Sequence, residues 1–302
     1  MELKTQEGRR PDLEAMPVNE PEGYIGKFIY PTLPTMEKTG SIYYKTVTAD
    51  SAAQDSRVAG VAPTTTLLTD SVTTYSAAEL IQRYGVVKAE VKQMGGIEKA
   101  DSLGGQASKR SVQRALEAVQ AYAFFNGSKT DISAAILNGI QTGLESIKRY
   151  AGKAAFVTSA TTYLWIIRQT EITDKMSWTF PAGQTNPNDI LSVKTQAFKS
   201  LLQTIYGVDE VLIGDDDQWK WNETNGWAGV VKLPDAAEFS HKMDPVLGKT
   251  AIYMPDGEQQ FEIESFYNED TKTNTYDATA WQAIKELNPG AKALFSGLVT
   301  GS

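Results

Sequence analysis

The chain has 302 residues, 41% apolar and 22% charged, with no cysteine, one histidine and a formal net charge of −8. That composition can fill the core of one large domain or two modest ones, and it excludes disulfide frameworks, thiolate zinc sites and cysteine nucleophiles. The acidic balance, with a pI near 4.9, argues against a protein whose main business is gripping phosphate backbones.

Residues 1–22 are polar and carry Pro11, Pro17 and Pro21. They hold too few apolar side chains to pack a core alone and read as an arm. The same stretch lacks the apolar centre of a signal peptide, and nowhere does the chain show the roughly eighteen consecutive apolar residues of a membrane span. Residues 24–30 form a short apolar burst stopped by Pro31 and Pro34. Extended structure is expected there, because a residue before proline avoids the helical region. From Gly40 the pattern alternates as in a strand, with Ile42, Tyr44 and Thr46 on one face and Tyr43, Lys45 and Val47 on the other. A return strand is expected at 58–68, across the small polar loop TADSAAQDSR. A two-stranded ribbon of this length needs a third strand or a helix to cover it. It must therefore lie on a surface of its own chain or of a neighbour.

Residues 72–75 and 83–93 carry β-branched alternation (Val87, Ala89, Val91), with a helical turn expected between them at 77–82. Gly95 and Gly96 then release the chain into its longest helical pattern, 101–127. Asp101 or Ser102 caps its start, and Asn126-Gly127 closes its end with a left-handed residue. Val112, Ala115, Leu116, Val119, Tyr122 and Ala123 recur at three- and four-residue intervals on one face, while Lys109, Arg110, Arg114 and Glu117 take the other. At 1.5 Å per residue such a helix rises roughly 30 Å, so other elements must lean on it.

Asp131 is expected to cap a second helix, with Ala135, Ile136, Ile140, Leu144 and Ile147 as its stripe. A strand at 154–158, a helix at 159–170, an irregular loop at 178–188, a helix at 189–206 and strands at 210–213 and 228–233 follow. This alternation describes a compact α/β subdomain over about 131–234. Strands return at 249–254, 259–267 and 276–284, and the C-terminal AKALFSGLV is a last apolar strand.

Few residues suggest chemistry. Gly248-Lys249-Thr250 has the ending of a phosphate-binding loop, but Met243 stands where the opening glycine is required and Pro245 lies between. Asp215, Asp216 and Asp217 offer oxygen ligands without the alternating spacing and glycine of a calcium loop, so a solvated turn is expected. His241 sits between Ser240 and Lys242, with no GxSxG elbow to make it a hydrolase base, and reads as a surface residue. Glu262 and Glu264 share one face of a strand, a spacing that could mimic a glycosidase pair, with nothing in the sequence to set one apart as the acid. Trp219, Trp221 and Trp227 cluster around a hairpin-like NETNG turn and are expected to pack or to touch another subunit. Lys109, Arg110 and Arg114 read as a solvated or ion-paired face rather than a nucleic-acid site. No catalytic, cofactor-binding or metal-ligating residue is expected.

In the order of its elements the chain resembles the major capsid protein of tailed bacteriophages, whose Hong Kong 97 type of fold encapsulin shells share. The residues carrying the resemblance are Tyr24-Ile-Gly-Lys-Phe-Ile-Tyr-Pro31 with Pro34, Gly40-Ser-Ile-Tyr-Tyr44, and Arg57-Val-Ala-Gly-Val-Ala-Pro63. Further along come Tyr75-Ser-Ala-Ala-Glu79 with Tyr84-Gly85, Lys99-Ala-Asp101, and Ala154-Ala-Phe-Val-Thr-Ser159. The match runs from about Gly23 to the C-terminus. It implies an α+β chain with an N-terminal arm (1–37), an extended β-ribbon loop (38–71) and a peripheral domain with a long spine helix (72–130). An α/β axial domain (131–234), peripheral return strands (235–285) and a C-terminal segment (286–302) would follow. It also implies a structural virion protein rather than an enzyme, made in the host cytoplasm and found in the capsid. Its partners would be copies of itself, in hexamers and pentamers of an icosahedral head enclosing double-stranded DNA without sequence-specific binding and without a membrane. No long helical region precedes Gly23, so the resemblance implies a separate scaffold protein beside a portal protein. An encapsulin-type compartment shell enclosing cargo enzymes is the alternative.

Overall fold

The computed structural model describes residues 4–17, 23–47, 68–150, 152–169, 172, 187–219, 226–233, 247–255 and 259–299. In chain order the elements are β1 (Gly8–Arg9), α1 (Pro11–Glu14), α2 (Gly26–Ile29), β2 (Thr32–Thr35), β3 (Thr39–Val47), β4 (Leu68–Ser76), β5 (Ala78–Val87), α3 (Lys88–Gln93) and α4 (Ile97–Phe125). There follow β6 (Lys129–Asp131), α5 (Ile136–Ile147), β7 (Lys153–Ser159), α6 (Ala160–Ile166), α7 (Pro187–Tyr206), β8 (Glu210–Gly214), α8 (Asp216–Trp219), β9 (Ala228–Leu233), β10 (Gly248–Tyr253), β11 (Glu262–Asn268), β12 (Thr273–Glu286) and β13 (Lys292–Ser296). The chain divides into two compact units, one of residues 1–40, 74–123 and 249–285, the other of 41–73, 124–248 and 286–302.

The first unit is built on a sheet in the order β1-β11-β12-β10-β2, with β5 also paired to β12. β12 is its longest strand, antiparallel to β11 on one flank and to β5 from Thr273↔Val87 to Gln282↔Ala78. The period-2 alternation of a strand turns Asn274, Tyr276, Ala278 and Ala280 inward. There Tyr276, Ala278 and Ala280 meet Val86, Ile263, and Ala100 and Val112 of α4 in one apolar core.

Local expectations fail in this unit wherever two conformations fit the same letters. Residues 26–29 form a helical turn, not extended chain. Tyr30, directly before Pro31, keeps a non-helical backbone (φ −121°, ψ 81°). β5 begins at Ala78, where a helical turn was expected, and the strand expected to run on to Gln93 gives way to α3. Glu90 Oε2 accepts the Val87 N–H at 3.1 Å, which starts the helix. Of the three alternating residues only Val91 is buried. The long helix begins at Ile97, directly after Gly95 and Gly96 with their positive φ of 90° and 125°, so Asp101 and Ser102 lie inside it and cap nothing.

The second unit carries a sheet in the order β6-β13-β9-β7-β8. β7 is buried from Ala154 to Ser159, parallel to β8 and antiparallel to β9, and its unbroken apolar run is that of a strand covered on both faces. Ile136, Ile140 and Ile147 of α5 and Phe198 and Leu202 of α7 share one cluster with Phe156 and Tyr163. Ser159 caps α6 by accepting from Thr162 N at 3.2 Å. Asp131 does not cap α5. It stands at the end of β6, where its Oδ1 accepts the Ser133 N–H at 2.9 Å, and the helix begins only at Ile136. Lys129 and Lys292 aim their ammonium groups at the last carbonyls of α4, Lys129 on Phe125 O at 2.7 Å and Lys292 on Phe124 O at 2.7 Å, the favourable place for cations on a helix.

β3 and β4 pair with each other as a two-stranded sheet, and Thr46 Oγ1 and Ser71 Oγ lie 2.9 Å apart. Ile42 is buried and Tyr43 is exposed, as the alternation predicts. The expected return strand at 58–68 falls almost wholly outside the described residues, and its described part begins at Leu68.

Candidate interaction surfaces

The N-terminal segment is not a coreless arm. β1 adds to the edge of β11 through Gly8↔Ser265 and Arg9↔Glu264, and Leu13 packs into the core at 1% exposure. Much of what holds the rest is polar, and most of that comes from α4. Asp101 accepts from Thr5 Oγ1 at 2.8 Å, from Arg10 Nη1 at 2.9 Å and from Tyr276 Oη at 2.5 Å. Lys109, 1% exposed, donates to Glu14 O at 2.7 Å and Met16 O at 2.8 Å. Glu117, 4% exposed, accepts from Ile25 N at 2.7 Å and Gly26 N at 2.8 Å, covering the orphan donors at the start of α2. Gln120 completes the series with Nε2 on Thr250 Oγ1 at 3.0 Å.

Two of these residues, Lys109 and Glu117, were expected on a solvated face. They are buried because backbone laid on a helix brings unpaired carbonyls and N–H groups that must be satisfied. The electrostatics follow. Arg10, hydrogen-bonded to Asp12 and Asp101, is held firmly protonated. Burial pushes the Lys109 ammonium down from 10.5 to about 8, with Glu14 opposing. The folded chain therefore gives up that proton earlier than the unfolded chain. Between pH 8 and 10.5 the unfolded state binds more protons, and stability rises with pH. Urea unfolding of wild type and Lys109→Met at pH 8 and pH 10 is expected to show wild type gaining on the variant by on the order of 1–3 kcal/mol. A constant difference between the two would show that Lys109 carries no buried charge.

Other surfaces are open. β5 pairs with β12 and, among the described residues, with no other strand, and it exposes Ile81, Tyr84 and Val87. Beside them Arg83 makes a bidentate pair with Asp277 at 2.7 and 2.6 Å, with its guanidinium 5.0 Å from the Phe266 ring centre. Leu103, Val119 and Tyr122 are exposed on α4, Tyr122 at 60%, and the ribbon exposes Tyr43 and Val72.

The residues singled out for chemistry are dispersed. Gly248, Lys249 and Thr250 open strand β10 instead of a helix. Thr250 is buried, with its N–H on Pro31 O at 3.0 Å, so no phosphate cradle forms there. Asp216 caps α6 by accepting from Thr161 N at 2.8 Å and Thr161 Oγ1 at 2.5 Å, and Asp215 Oδ1 accepts from Asp217 N at 2.8 Å. These carboxylates are engaged within the chain, Asp216 at the start of α6 and Asp215 in its own turn. Among the described residues no group of three or more such ligands is placed to hold a metal ion. Glu262 and Glu264 lie on β11 opposite its buried face. Trp219 is fully buried, 6.0 Å from Phe124 and 5.9 Å from Phe125 between ring centres. Trp227 sits 5.8 Å from Phe125, with Lys129 Nζ 3.8 Å from its ring centre. Both tryptophans pack within their own unit, while Trp221 and His241 lie outside the described residues. Among the described residues no helix is long and apolar enough to cross a membrane.

No protein-family model matches the sequence, and no curated protein matches it either. Solved structures do match. A phage-related protein from Bordetella bronchiseptica RB50 superposes with a TM-score of 0.62 at 12% identity, over 99% of this chain and 100% of that one. The capsid of a native GTA particle matches at 0.54 and 11% identity, over 95% and 93%. The holo-SrpI encapsulin complex from Synechococcus elongatus PCC 7942 matches at 0.52 and 9% identity, over 93% and 88%. At such identities the likeness is one of fold, and it runs along nearly the whole of each chain. This chain has the mixed helix-and-sheet fold of the Hong Kong 97 type.

Proposed function

We propose that the chain is a structural shell subunit, a major capsid protein whose copies assemble as pentamers and hexamers of an icosahedral head around double-stranded DNA. The near full-length likeness to the GTA capsid, over 95% of this chain, carries this reading. Three features support it. The paired ribbon of β3 and β4 has the surface-seeking character of an element covered by a neighbour. The acidic charge of −8 suits an enclosure that does not grip its genome. Among the described residues, those that suggested chemistry are engaged in turns, strands and helix starts of the chain itself. In this reading the chain is not an enzyme, the domain assignments (arm 1–37, extended loop 38–71, peripheral 72–130 and 235–285, axial 131–234, C-terminal 286–302) apply to it, and scaffold and portal proteins join it in the host cytoplasm. The encapsulin likeness, a TM-score of 0.52, favours a compartment shell with enzyme cargo as the second reading.

Electron microscopy of the purified protein is expected to show closed shells of uniform size. Protein that stays monomeric under every assembly condition would count against both readings. Shells isolated from producing cells separate the two, since nucleic acid inside supports the capsid and a protein cargo supports the compartment. Deleting residues 49–56, the polar middle of the ribbon sequence, is expected to leave a folded subunit that fails to close shells. Normal shells from the shortened chain would make the ribbon an ordinary internal hairpin.

A further inference from the structure

We propose that residues 4–16 form a strap that opens and closes on the first unit as one piece, uncovering the β11 edge while β12 and α4 stay folded. The strap joins the sheet at its rim, through the two residue pairs of β1. It commits one fully buried apolar side chain to the core, Leu13, with Met16 packed partly buried against it. The rest of its hold is a row of polar grips. Thr5 N donates to Asn274 Oδ1 at 3.0 Å, Thr5 and Arg10 reach Asp101, and Glu14 O and Met16 O accept from Lys109. Each grip can be exchanged for water at small net cost, unlike buried apolar area. Beneath the strap, Val86, Val91, Ala100, Val112, Ile263, Tyr276, Ala278 and Ala280 pack on one another, so the core keeps its contacts without it. The next stretch differs in kind, because Ile25, Ile29 and Tyr30 are all buried and tie it down by apolar contact. Local opening of weakly anchored segments below the global unfolding free energy is general behaviour. Here it has a specific consequence, since β11 without β1 presents an unpaired edge, a template for another strand.

One amide reports the opening. Ile263 N, on β11, donates to Glu14 Oε1 at 3.0 Å, so its protection depends on the strap although it belongs to the sheet. In residue-resolved hydrogen exchange on the full chain, the amides of Arg10, Leu13, Glu14 and Ile263 are expected to share one rate, about 100-fold faster than Val112 and Tyr276. Lys109→Met is expected to raise that shared rate about tenfold and leave Val112 unchanged. The proposal is overturned if strap and Val112 amides exchange together in wild type, or if Lys109→Met accelerates all of them equally.

Discussion

Gly104→Ala is expected to destabilise the first unit by roughly 2–3 kcal/mol, near the upper end of the usual cost of overpacking. In an exposed helix the same change stabilises by about 1 kcal/mol, since alanine is the better helix former. Gly104 lies on the buried face of α4, where an added β-carbon would stand 2.2 Å from the Tyr276 ring. That ring cannot retreat. It is fully buried on the longest strand of the sheet, and its hydroxyl is held by Asp101 at 2.5 Å. Gly105→Ala is the internal control. Its β-carbon would meet Leu13 at 3.2 Å, a side chain on the N-terminal segment that can give way, so the substitution is expected within about 0.5 kcal/mol of wild type or above it. Both variants are read by urea unfolding followed by circular dichroism. Equal stability of the two would mean that the helix and β12 are free to move apart.

The same helix shows what the sequence could and could not reveal. Strands that bury one face were legible, because alternation survives in the letters. Ile42 against Tyr43 is one case, and Ile136, Ile140 and Ile147 of α5 show the helical counterpart. The buried face of α4 was not legible. Before its closing Phe124 and Phe125 it runs through Ala100, Asp101, Gly104, Gly105, Ser108, Lys109, Val112, Glu117, Gln120 and Ala121, which keeps a helical period but is mostly small or polar. Hydrophobicity cannot see such a stripe. Its cause lies far away in sequence, in the backbone of residues 4–17 and 23–30, whose carbonyls and N–H groups need partners and whose close approach needs glycine. Gly26 shows this closeness, since a β-carbon there would meet the Gln120 side chain at 2.1 Å. The signal available in the sequence was the charge pattern itself. Asp101, Lys109 and Glu117 recur every eight residues, a spacing that keeps neighbours in the series on one side of the helix but is too long for i,i+4 pairing.

Val112→Asp is expected to abolish soluble protein, and Leu116→Asp to leave the chain folded. The pattern of the sequence gives no reason to separate them, since both belong to its apolar stripe. The structure does. Val112 is 0% exposed and sits in the core with Ile263, Tyr276 and Ala278. Leu116 is only half-buried. An unpaired carboxylate in place of Val112 costs at least several kcal/mol, comparable with the roughly 5–15 kcal/mol that holds a domain together. Neither Lys109 nor Arg10 can relieve it without abandoning its own partners, the carbonyls of Glu14 and Met16 and the carboxylates of Asp12 and Asp101. At position 116 the carboxylate can reach water, and a loss of about 1 kcal/mol is expected. Soluble yield and far-ultraviolet circular dichroism decide between them. If Leu116→Asp were lost and Val112→Asp folded, the side of α4 that carries Leu116 would be its buried one, and the polar grip on residues 4–16 would not be what seats them on the helix.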